Sequence, residues 1–146
     1  MDRYCYFSPK FVTEDELIAV YEFTHKIAKD SKFNKFTICV NNIQANQEVE
    51  KIFNRVKTNK LERYKVIVDR KVNVQLKTPN GLKKFDDLCL VLAIHPSQKL
   101  LKKLESNIYL KILVVVAEVP PNGICKHLEV WADNNNVERF EIKFNE

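Results

Sequence analysis

Residues 88–95, LCLVLAIH, and 112–119, ILVVVAEV, decide the fold of this chain. Each run is too short for a core helix and too continuous for a strand with one wet face, so each reads as a strand buried on both sides. Between them residues 97–108, SQKLLKKLESNI, set Leu100, Leu101, Leu104 and Ile108 on one helical stripe. Strand, crossover helix and parallel strand follow, which places the chain in the α/β class.

Working outward, the same pattern continues to both ends. Thr13-Glu14-Asp15-Glu16 has capping-box spacing, with acids at the positive end of a helix whose buried stripe is Leu17, Val20, Tyr21, Ile27 and Ala28. Lys26, Lys29 and Lys32 suit its last turns. Residues 36–40 (FTICV) form a short buried strand, and a helix from about Gln47 presents Val49, Ile52, Phe53 and Val56 to the core. In residues 64–77, YKVIVDRKVNVQLK, the valines at 66, 68, 72 and 74 share parity with Leu76. A hairpin with the three-residue turn Asp69-Arg70-Lys71 preserves that parity by pairing Val68 with Val72, and one long bent strand satisfies it equally. Thr78-Pro79-Asn80-Gly81 is a turn, and Pro120-Pro121-Asn122-Gly123 leads into a last helix with Ile124, Leu128, Trp131 and Ala132 on one face. Asn134-Asn135-Asn136 ends that helix, and Phe140, Ile142 and Phe144 alternate along a final strand. The expectation is a single α/β domain over residues 1–146, with a mixed, mostly parallel sheet of five or six strands and helices on both faces.

Composition narrows the function. A chain of 146 residues with 45% hydrophobic content buries roughly two thirds of its unfolded surface and needs no metal or disulfide to fold. Gly81 and Gly123 are the only glycines, which excludes a GxGxxG dinucleotide turn, a P-loop and a nucleophile elbow. No apolar run approaches ~18 residues and MDRYCYFSPKF has no signal-peptide pattern, so no membrane partner and a cytoplasmic location are expected. Cys5, Cys39, Cys89 and Cys125 are widely spaced, with Cys39 and Cys89 inside strand runs, and reduced, packed thiols are expected.

Charge is segregated. Residues 51–111 carry fifteen Lys or Arg against five acids, a net +10, so the flanks carry −5 within an overall +5. Lys83, Lys84, Lys99, Lys102 and Lys103 are the candidates for contact with nucleic acid or another polyanion. A protein partner on the same basic region is the companion expectation, and a solvated helix side accounts for part of the pattern.

Three constellations bear on catalysis. Ligands of open α/β sheets bind at the carboxyl ends of strands, which brings His95-Pro96-Ser97 toward the 120–125 loop; Cys125 in a first helical turn would be the nucleophile and His95 its base. A packed thiol beside a backbone-bonded histidine is the competing reading. Cys125-Lys126-His127-Leu128-Glu129 places Cys125 and Glu129 on one helix face with His127 elsewhere, so solvated surface is expected there, with no metal and no cofactor. From Gln47 to Val119 the element order is helix, three strands, helix, strand, which resembles the core of the PD-(D/E)xK nuclease superfamily. The resemblance covers half the chain and implies an Mg²⁺-dependent nuclease with Asp69 as metal ligand and Lys77, in Gln75-Leu76-Lys77, as charge stabiliser. Gln75 stands where the family has an acid, and only five residues separate Asp69 from it. The expected function is a non-catalytic binding or adaptor module, with that nuclease as the alternative.

Overall fold

The computed structural model describes residues 1–42, 46–123 and 125–142. The chain forms a mixed, mostly parallel sheet with helices on both faces. Its strands are β1 (Asp2–Ser8), β2 (Lys35–Cys39), β3 (Val66–Asp69), β4 (Val72–Lys77), β5 (Leu90–Ile94), β6 (Ile112–Glu118) and β7 (Glu138–Arg139). Its helices are α1 (Glu14–Asp30), α2 (Asn46–Ile52), α3 (Arg55–Tyr64), α4 (Gln98–Glu105) and α5 (Lys126–Asn134). The sheet order is β3-β4-β2-β5-β6-β1-β7, and only the β3–β4 pairing is antiparallel.

The two runs that decide the fold become β5 and β6, paired in parallel from Leu90 with Ile112 to Ile94 with Val116. Alternate residues face opposite layers. Leu90, Leu92, Ile94, Val114 and Val116 join Phe36, Ile38 and Val74 under α1, α2 and α3. Val91, Ala93, Leu113 and Val115 pack under Leu100, Leu101 and Leu104 of α4 and Leu128, Trp131 and Ala132 of α5. Thr13 caps α1 through the reciprocal Thr13–Glu16 pair.

Several expectations are corrected. The sheet has seven strands because Asp2–Ser8, unread as a strand, inserts between β6 and β7. The hairpin is real, but its turn holds two residues: Asp69 pairs with Val72 and Val68 with Asn73. Arg70 and Lys71 both have positive φ, 49° and 71°, the backbone of a turn whose twist matches the flanking strands. The one-residue change exchanges the faces of β3, so Ile67 and Asp69 are buried while Val68 is 64% exposed. The helix expected from Gln47 breaks at Asn54, whose side chain accepts from Lys57 N and caps α3. Val56 therefore starts a new helix and is exposed. Ile108 lies beyond the end of α4 and is exposed as well, and Lys32 lies past the end of α1. Cys89 precedes β5 with φ 55° instead of lying within it. The final strand is β7, after which Phe140 and Ile142 pack against the α1 layer. Ile124 and Phe144 lie outside the described residues.

Leu92 is fully buried at the centre of the sheet. Leu92→Ala should lower unfolding stability by about 2–5 kcal/mol, read by urea titration; an unchanged midpoint would displace the core from β5.

Candidate functional site

The carboxyl ends of β2 and β5 form the natural crevice, because β2 is followed by α2 on one layer and β5 by α4 on the other. His95 stands there with φ 48°. Its Nδ1 accepts from Glu118 N at 3.2 Å, and its Nε2 faces Glu48 Oε2 at 4.0 Å. Asn41 straps the loop by donating to His95 O at 2.7 Å and accepting from Ser97 N at 2.8 Å. Glu118 also accepts from Val12 N at 3.1 Å, so this end of the sheet is held by its own hydrogen bonds. The structure does not pair His95 with Cys125: the histidine is engaged with Glu118, and Cys125 is the half-buried residue preceding α5. His127 is half-buried and donates from Nε2 to Pro96 O at 3.0 Å, a tie between α5 and the β5–α4 loop where solvated surface was expected.

Asp69 is 5% exposed and sits in a polar network. Tyr21 OH donates to Oδ2 at 2.6 Å, Lys57 Nζ to Oδ1 at 3.0 Å and Arg70 to Oδ2 at 3.1 Å, while His25 donates to the Asp69 carbonyl at 2.9 Å. Burial alone would raise the Asp69 carboxyl, but the hydrogen bonds from Tyr21, Arg70 and Lys57 outweigh it and hold the group well below the usual carboxylate range. Burial and the bond to Asp69 push Tyr21 far upward. Lys77 lies five residues along β4 from the partner of Asp69, about 17 Å at strand rise, and donates to Asp86 at 3.2 Å. The structure therefore keeps Asp69 and Lys77 apart. Among the described residues no three His, Cys, Asp or Glu are grouped so as to hold a metal ion.

The lysines behave differently. Between β4 and β5 the chain crosses the α4 side of the sheet, fixed by Leu82 and Leu88 in that core. Asp86 N donates to Lys83 O at 3.1 Å, closing a tight turn with Lys84 and Phe85 at its tip. The buried Asn107, after α4, clamps this turn by donating to Lys83 O at 3.2 Å and Asp86 O at 2.8 Å. Lys83 and Lys84 thus face Lys102 and Lys103 across one groove of about 250 Å³, with Leu82 and Ser106 completing its wall. Lys103 also donates to Pro79 O at 2.7 Å. Lys99, one turn back on α4, is exposed and stands outside the groove.

Nearby acids are neutralised by other cations. Asp86 pairs with Lys77, Asp87 with Lys35 at 2.7 Å, and Glu105 with Arg3 of β1 at 2.7 Å. Lys83, Lys84, Lys99 and Lys102 form no ion pair with a described residue. Beside them Phe85 is 69% exposed and Tyr109 47%, joined through Ile108 N, which donates to Lys84 O at 3.3 Å. Sequence reasoning missed both aromatics and Asn107. The run Lys83-Lys84-Phe85 carried a signal for one of them; Asn107 carried none.

No protein-family model, curated protein or solved structure gives a significant match to the chain.

Asp69→Ala would leave the buried Tyr21 hydroxyl without its acceptor, an expected loss of about 1–3 kcal/mol. The sign with pH follows from the lowered carboxyl: its stabilisation is complete above about pH 4, the unfolded value, and is lost as pH falls toward the folded value. Thermal melts should therefore show the wild-type advantage over Asp69→Ala shrinking below pH ~4; a gap constant down to pH ~2 would contradict the network.

Proposed function

We propose that the chain is a non-catalytic nucleic-acid-binding module acting in the cytoplasm, and that it grips a single strand along the groove between α4 and the 82–89 loop. The observation that carries the reading is the meeting of two lysine pairs, Lys83/Lys84 and Lys102/Lys103, around one groove whose neighbouring acids are paired elsewhere. Lys84 and Lys102, exposed and without a carboxylate partner among the described residues, keep their attraction for phosphates. Exposed Phe85 and Tyr109 beside them match the other half of single-strand recognition, in which bases stack on aromatic faces while cations track the backbone. The lysine turn is prefixed by Asn107, so little ordering entropy is lost on contact. The cytoplasmic assignment is supported by four free cysteines, of which Cys5 and Cys39 are buried. No helix among the described residues is long and apolar enough to cross a membrane.

Electrophoretic mobility shift or fluorescence anisotropy with labelled single strands tests the proposal. With four phosphate contacts, a fourfold rise in salt should weaken binding roughly 50-fold. Lys84→Glu/Lys102→Glu should flatten that salt dependence while leaving the melting curve within about 0.5 kcal/mol of wild type, since both side chains are exposed. Phe85→Ala should cost about 1–3 kcal/mol of affinity at any salt. No shift at low salt would remove the reading, and strand cleavage in Mg²⁺ would replace it with a nuclease.

A further inference from the structure

β3 ends the sheet on one side, and among the described residues β4 is its only strand neighbour. In an antiparallel ladder alternate residues exchange main-chain bonds with the partner strand, and Leu76 N donates to Lys65 O at 3.0 Å. Ile67 and Asp69 share the parity of Lys65 and bond to β4. Val66 and Val68 therefore turn their N–H and C=O groups away from the sheet.

The side chains follow the same alternation. Ile67 shares a core with Leu61 of α3, whereas Val66 and Val68 point to the opposite face and are 42% and 64% exposed. An edge strand ordinarily carries charged side chains at such places. An open edge that carries valines instead is a template for one more strand, with main-chain bonds supplying affinity and alternate side chains supplying specificity.

Charge selects the occupant. Over residues 60–71 five Lys or Arg stand against two acids, Glu62 and Asp69, and Asp69 is buried against Lys57 and Arg70. Lys60, Arg63, Lys65 and Lys71 are exposed and form no ion pair with a described residue. A second copy of the chain would bring these cations against their own kind. A nucleic-acid strand would meet the cations but has no amide ladder to offer Val66 and Val68. An extended peptide rich in acids meets both conditions.

We infer that β3 is the docking edge for an extended acidic segment of a protein partner, which adds antiparallel to Val66 and Val68. Its apolar side chains lie beside the two valines, and its carboxylates lie on the face that α3 occupies, whose later turns carry Lys60 and Arg63. This edge shares no residue with the lysine groove.

A short labelled peptide of alternating glutamate and valine, capped at both ends, tests the inference by fluorescence anisotropy. It should bind, and N-methylation of its valines, whose amides face β3 in the antiparallel register, should weaken it about 30-fold, the worth of two hydrogen bonds. N-methylation of its glutamates, whose amides face solvent, should leave the affinity largely unchanged. Lys60→Glu/Arg63→Glu, at two exposed positions, should weaken the unmodified peptide about tenfold. Val68→Pro, at a position whose N–H the sheet does not use, should abolish binding with the urea midpoint retained; should it fail to fold, the methylated peptides decide alone. No binding, full affinity of the valine-methylated peptide, or unchanged affinity in Lys60→Glu/Arg63→Glu would overturn the inference. Displacement of the peptide by oligothymidylate would overturn it too, by giving these cations to nucleic acid.

Discussion

Because both faces of β5 and of β6 between its ends are buried, their backbone polar groups have to be paired inside the sheet and their flanking elements have to cover both layers. That requirement drives the rest of the architecture. It seats α1, α2 and α3 on one face and α4 and α5 on the other. It also sends the β4–β5 connection across the α4 layer, since β2 occupies the place beside β4. A loop forced to cross a helix layer ends up alongside a helix, and that adjacency creates the lysine groove.

The parts of the fold legible in the sequence were those where hydrophobic burial alone decides. Residues 88–95 and 112–119 announce strands because almost every side chain is apolar, and the leucines of α4 announce a crossover. What escaped was governed by backbone conformation or by burial too partial to leave a pattern. Two glycines cannot mark the turns of this chain, and the left-handed positions fall instead to residues such as Lys65, Arg70, Lys71 and His95. With Arg-Lys where Asn-Gly would be the usual signal, nothing distinguished a two-residue turn from a three-residue one. The register slip followed, and with it the assignment of Asp69 to the turn when it ends β3, buried and bonded to Tyr21. In β1 only Cys5 and Ser8 are buried, so Asp2–Ser8 lacked the alternation of a strand, and its apolar run, Tyr4-Cys5-Tyr6-Phe7, is only four residues long.

The candidate site was legible in its residue types and hidden in its assembly. Lys83, Lys84, Lys102 and Lys103 could be named from local charge, but nothing local says that the two pairs share a groove. That depends on Asn107, a single amide bridging two carbonyls. Nor could the strength of the basic field be read, because three acids lie in the same segment. Their effect is cancelled by Arg3, Lys35 and Lys77, and two of those three cations come from β1 and β2, far away in sequence.

The carboxyl-end crevice and the lysine groove illustrate opposite uses of polar groups. In the crevice Asn41, His95 and Glu118 spend their hydrogen-bonding capacity on one another and on nearby backbone, closing the sheet end against the loops. Such groups stabilise, and each would have to break a bond before meeting a ligand. In the lysine groove the backbone carbonyls are the groups that are tied down, while the ammonium groups of Lys84 and Lys102 have no ion-pair partner among the described residues.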